Sequence, residues 1–163
     1  MEAQLKKHNA HEIGPYTRLF WMLAGSFIAM YITMYFNSYE ADHVYFSLTR
    51  FYMACLGIAA MAVIMLYFMR KMYRNRMKNV LVVVGSFLLF VGALALVRTQ
   101  TPVGDIAYMR AMIPHHSIAI LTSNKAKIKD PEVRELADQI IKAQEEEITE
   151  MKAHIARLTS EDE

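Results

Sequence analysis

At 163 residues the chain has room for one or two small units, and its 55 % hydrophobic content exceeds that of an ordinary globular domain. A formal net charge of +2, with no basic stripe interleaved with aromatics, gives no argument for a nucleic-acid partner. The single cysteine, Cys55, excludes an internal disulfide and a paired-cysteine metal knuckle, whereas the thirteen methionines stand out.

In chain order, a polar segment over residues 1–18 comes first, carrying Lys6, Lys7 and Arg18. Its His8 and His11, like His43 further on, read as solvated side chains rather than ligands. Three uncharged runs follow: Leu19 to Phe36, Phe51 to Met69, and Val80 to Val97. Each is close to the ~20 residues that a helix rising 1.5 Å per residue needs to cross a ~30 Å hydrocarbon core. Three such runs leave too little polar surface for a water-soluble fold, so residues 19–98 are expected to form a three-span membrane domain. Phe20, Trp21, Tyr35, Phe36, Tyr52 and Tyr67 sit at run edges, as interfacial aromatics do.

The loop between the second and third runs holds Arg70, Lys71, Arg74, Arg76 and Lys78, whereas the loop before it has only Arg50, with Glu40 and Asp42. Basic loops stay on the cytoplasmic side. The expected topology therefore has a cytoplasmic N-terminus and everything after Arg98 exported, which in a bacterial inner membrane means the periplasm.

Residues 99–104 read as a linker, and residues 105–163 as an exported helical hairpin. Its first helix runs from about Asp105 to Lys127. The second opens on "DPEVRE", with Asp130 as N-cap and Pro131 at the first helical position. Val133, Leu136, Ile140, Gln144, Ile148, Met151, Ile155 and Leu158 then repeat every three or four residues as one apolar stripe, and "TSEDE" reads as a frayed tail. The fold class is all-α. A hairpin this small needs a partner, either a second copy that completes a four-helix bundle or the membrane domain itself.

The stretch "YMRAMIPHHSIAI" puts Met109, Met112 and His116 on one helix face, at i, i+3 and i+7. His115 points about 100° away. Pro114 interrupts the hydrogen-bond ladder one turn before the histidines, and a kinked continuous helix is preferred to one that starts there. An antiparallel return brings Met151 towards Met109 and Met112, and His154 towards Asp105. Thioether and imidazole together form a soft ligand set, which selects Cu(I) or Ag(I) over magnesium, calcium or manganese. The candidate metal ligands are thus Met109, Met112, His115, His116 and Met151. Methionines at helical spacing also serve as core filler, so packing alone is the competing reading.

Met112, Ile113, His115, His116, Ala119, Gln144, Glu147, Ile148 and Met151 together resemble the pattern of the family catalogued as domain of unknown function 305. The resemblance covers about 55 residues, and the three spans are similar to its membrane-anchored branch. It implies a ferritin-like helical protein, often periplasmic, with copper binding and copper tolerance in some members. Thr122 and Ser123 stand where members carry sulfur, so one soft ligand past the histidines is missing.

Other chemistries find less support. Met30 and Met34, and Met61, Met65, Met69 and Met72, repeat along the first two spans, but helix packing explains them better than metal transport. "EEE" at Glu145 to Glu147 reads as a solvated face. A di-iron oxidase needs Glu-x-x-His on each of two helices. Here Glu150 and His154 are four apart, and no carboxylate is expected beside the first-helix histidines. The sequence therefore points to a membrane-anchored copper-binding protein rather than an enzyme, with lipid, metal ion and a second copy as partners. The alternative is an assembly module whose hairpin dimerises without metal.

Overall fold

The computed structural model describes residues 14–161. Among them all regular structure is helical: α1 (Pro15–Thr33), a 3-10 turn (Ala41–His43), α2 (Leu48–Phe68), α3 (Arg76–Thr99), α4 (Asp105–Lys125) and α5 (Pro131–Glu161). Lys6, Lys7, His8 and His11 lie outside the described residues.

The helix starts have local causes. Pro15 occupies the first position of α1, where its missing N–H costs nothing. Ser47 Oγ accepts from the Arg50 N–H at 3.2 Å, and Asn75 Oδ1 from the Lys78 N–H at 3.0 Å. Asp130 Oδ1 accepts from both Glu132 and Val133 N–H at 3.0 Å, the cap that its sequence context predicts. At the far end of α3, Gln100 takes the left-handed conformation (φ 53°) more often given to glycine.

Two of the helices, α2 and α3, are long and apolar enough to cross a membrane. The run from Leu19 to Phe36 is not one continuous helix, because α1 ends at Thr33 and the chain continues in turns. Thr33 Oγ1 donates to the Met30 carbonyl, and the N–H groups of Tyr35 and Phe36 reach back only three residues, which tightens the chain out of the helix. The apolar part of α1 is left with about 15 residues, roughly 22 Å. At its other end α1 takes in Arg18.

α1 packs along α2, and α2 along α3. The first contact is close at Gly57, where an added Cβ would sit 3.0 Å from the Met30 thioether. Leu19, Leu66 and Tyr73 form one core, with Met65, Met69 and Met72 against it. The methionine stripe is therefore packing surface over most of its length. Phe20, Trp21, Ile28, Phe87 and Leu88 point outward from the three-helix unit.

Polar contacts tie both ends of this unit. At one end the Tyr16 hydroxyl donates to Asn79 Oδ1 (2.8 Å) and accepts from the Asn75 N–H (3.0 Å), beside the basic loop. At the other, the Arg50 guanidinium donates to the carbonyls of Met34 (2.5 Å) and Pro114 (3.3 Å) and lies 4.4 Å from the centre of the Tyr35 ring. Arg50 thereby links the end of α1, the start of α2 and the middle of α4.

α4 and α5 pack side by side. Near their connection the Arg134 guanidinium donates to the Ser123 carbonyl at 3.0 Å. Ile113, Ile120 and Ile148 form their core, which also takes in Tyr45 from the segment before α2. α4 runs through Pro114 rather than starting at it, and Pro114 is buried. The expected frayed tail is helical as far as Glu161, where Arg157 pairs with the Glu161 carboxylate at 2.9 Å.

Candidate metal centre in the α4–α5 cleft

Residues four apart on a helix lie almost above one another, so α4 presents Tyr108, Met109, Met112 and His116 to α5 as one column. α5 answers with Glu147, Glu150, Met151 and His154. These eight side chains line an open cleft of about 420 Å³. Of the sequence-predicted ligands, Met109, Met112, His116 and Met151 come together there. His115 does not: it is exposed on the outer side of α4, with its ring edge-on to that of His116 at 6.1 Å between centroids. Thr122 and Ser123 lie outside the lining set, so the third thioether comes from Met151 on the opposite helix.

The burial is graded. Met109 is 8 % exposed and belongs to the floor, whereas Met112 and Met151 are half-buried. The His116 side chain is 12 % exposed, and its partner Glu147 is 52 % exposed. His116 Nδ1 lies 2.9 Å from the Met112 carbonyl, and an imidazole nitrogen can meet a carbonyl oxygen only by donating to it. Nε2 therefore faces the cleft. There it meets Glu147 Oε2 at 2.7 Å, a charge-assisted contact in which one of the two groups must hold a proton. Gln144 Nε2 donates to the same carboxylate oxygen at 3.4 Å.

One expectation needs correction. A carboxylate does neighbour the first-helix histidines, because Glu147 reaches His116. His154 lies in the cleft, 3.5 Å from Glu150. The signal for Glu147, Glu150 and His154 was present, since with Met151 they fall at i, i+3, i+4 and i+7 on one face. A di-iron carboxylate centre still lacks its second set, because the only acid on α4 is Asp105, which is not among the cleft residues.

A second polar cluster lies where the 3-10 turn meets α4 and α5. His43 is 6 % exposed, and its Nδ1 lies 3.1 Å from Ser117 Oγ, which also accepts from the Tyr39 N–H at 2.7 Å. The Lys152 ammonium on Asp42 (2.5 Å) holds that carboxyl below the usual carboxylate range.

Comparison with known proteins agrees with the sequence pattern. The family described as Domain of unknown function (DUF305) matches residues 94–161, which takes in the end of α3, all of α4 and all of α5. An uncharacterised protein of Acanthamoeba polyphaga mimivirus is 33 % identical over 133 residues, 80 % of this chain and 86 % of that protein. An alignment of that length extends well beyond the family segment into the preceding helices. No solved structure matches. Of the positions that carry the family pattern, Met112, His116, Glu147 and Met151 line the cleft, Ile113 and Ile148 form the core beneath it, and His115, Ala119 and Gln144 belong to neither set. The chain belongs to the DUF305 family.

Proposed function

We propose that this protein is a membrane-anchored metal-binding protein whose α4–α5 cleft takes a soft monovalent ion, Cu(I) or its mimic Ag(I), in copper homeostasis or tolerance. One observation carries the reading: three thioethers, Met109, Met112 and Met151, line one cleft with an imidazole whose Nε2 is aimed into it. Thioether sulfur adds little to a magnesium, calcium or zinc site, but with imidazole it suits Cu(I). The Nδ1 contact to the Met112 carbonyl fixes the ring as metal-binding histidines are commonly fixed. Glu147 is exposed enough to swing into solvent and release Nε2. The lining set contains no serine, threonine or cysteine nucleophile, so we read the cleft as a binding site rather than a catalytic one.

In this reading the first three helices are membrane spans, the N-terminus is cytoplasmic, and α4 and α5 form a ferritin-like hairpin on the periplasmic face of the inner membrane. Support comes from the two ends of the three-helix unit. Arg70, Lys71, Arg74, Arg76 and Lys78 gather at the end where Tyr16 meets Asn75 and Asn79, whereas α4 contacts the opposite end through Arg50 and α5 through Lys152 on Asp42.

The second reading is a packing module without metal. It is favoured by the burial of Met109 and by His116, both of whose ring nitrogens have protein partners. Titration of the full-length protein in detergent with Cu(I), against a competing chromophoric chelator, separates the two. Copper binding should be lost in the Met112→Ala, His116→Ala double variant and retained in His115→Ala. Unchanged binding in the double variant would leave packing as the explanation.

A further inference from the structure

We propose a second, chemically distinct cation site, for a divalent ion of zinc type, formed by His43, Glu40 and Asp42 where the turn between α1 and α2 meets α5. Among the described residues, these three bring a histidine nitrogen and two carboxylate oxygens within 4.8 Å of one another. His43 Nε2 lies 3.7 Å from Glu40 Oε2 and 3.7 Å from Asp42 Oδ1. Those separations are too long for hydrogen bonds. They are close to the ~3.4 Å that separates donors on a tetrahedral ion with bonds of about 2.1 Å.

The buried histidine is the independent observation. Its ring is almost wholly enclosed, yet only Nδ1 has a hydrogen-bond partner, Ser117 Oγ. With Nδ1–H donating to Ser117, Nε2 carries a lone pair aimed between two carboxylates, the usual arrangement of a ligating imidazole. A smaller cleft of about 220 Å³ opens there, lined by Glu40 and His43 on one side and by Glu145, Thr149 and Lys152 of α5 on the other. Imidazole with carboxylates is a zinc-type donor set and lacks the sulfur that marks the α4–α5 cleft. Lys152 occupies Asp42 as a resident cation, so a divalent ion has to displace an ammonium from one carboxylate.

The test uses the full-length protein in detergent, stripped with chelator and titrated with Co(II), followed by its visible absorption and by Zn(II) competition. One Co(II) per chain should bind with a spectrum that depends on His43. Glu40→Gln and Asp42→Asn, near-isosteric changes at exposed positions, should each weaken binding at least tenfold, and His43→Gln should abolish it. Lys152→Ala should strengthen binding several-fold by removing the competing ammonium. His116→Ala, in the other cleft, should leave the Co(II) signal unchanged. Far-UV circular dichroism checks that each variant keeps its helix content. The site is refuted if wild type binds no Co(II) below millimolar concentration. It is also refuted if the signal survives both Glu40→Gln and Asp42→Asn in folded protein, or disappears with His116→Ala.

Discussion

His116 has one ring nitrogen fixed by the chain and one whose partner can be exchanged. Its Nδ1 is committed to the Met112 carbonyl, so only Nε2 can change partner, and Glu147 holds it. If copper is bound by Nε2 and the thioethers, Glu147 competes with the metal for that nitrogen. Glu147→Gln should then raise Cu(I) affinity, by up to about fivefold, since a partly exposed ion pair contributes up to about 1 kcal/mol. A fall in affinity would instead make the carboxylate a ligand and point to a harder ion. The methionines and His116 were legible in the sequence because side-chain direction along a helix follows directly from spacing. Glu147 carried the same signal, one face shared with Glu150, Met151 and His154, but as part of the run Glu145 to Glu147 it read as solvated. Arg50 was also missed as a structural residue, because a lone arginine in an outer loop gives no sign of the two carbonyls it joins. Lysine has the charge but not the fork. Arg50→Lys should therefore lower stability by about 1–3 kcal/mol and speed proteolysis between α3 and α4. Equal melting and cleavage of the two proteins would show that the guanidinium contacts do not anchor α4.

At the scale of elements, the apolar runs located the helices and the physics of caps and turns set their limits. α2, α3 and α4 fall within a few residues of their sequence patterns, and Asp130 caps α5 as its neighbours predict. α1 departs most, because hydropathy continues through Met34, Tyr35 and Phe36 while the backbone does not. The stripe on α5 also divides. Its Ile148, Met151 and Ile155 lie towards α4, joined there by Ala137 and Ile141 from outside the stripe, whereas Val133, Leu136 and Ile140 are exposed, Leu136 by 55 %. The second group lies roughly 40–100° round the helix from the first. One neighbouring helix covers the first group, and a second surface is needed for the other. We therefore expect a second copy to cover Val133, Leu136 and Ile140. Size-exclusion chromatography with light scattering in mild detergent should give at least a dimer for wild type and a monomer for Leu136→Glu, Ile140→Glu. A wild-type monomer would remove the four-helix bundle from consideration.

For the whole molecule, the arrangement of charge is the feature that bears on the proposed orientation. The polar ends of the three-helix unit differ: one gathers the basic loop from Arg70 to Lys78, and the other gathers Glu40, Asp42, Arg50 and the packed α4–α5 pair. A helix unit embedded with the basic end in the cytoplasm satisfies the positive-inside bias. The same orientation puts both candidate metal sites on the exported side. The opposite orientation would carry five basic residues across the bilayer and leave the thioether cleft in the cytoplasm. α1 is the weak element in this scheme, because its apolar portion is short. Its 19 helical residues nevertheless reach about 28 Å, and among the described residues Phe20, Trp21, Ile28 and Ile32 are exposed. In the proposed embedding lipid would cover those side chains. The expected outcome is definite for fusions of the full chain in a bacterial host. An export-dependent phosphatase placed after Glu163 should be active, and the same enzyme placed after Met72, between α2 and α3, should be silent. A fluorescent reporter that folds only in the cytoplasm should give the reverse pattern. Phosphatase activity at Met72 together with cytoplasmic fluorescence at Glu163 would invert the topology. Activity of the same sign at both positions would mean that α3 does not cross.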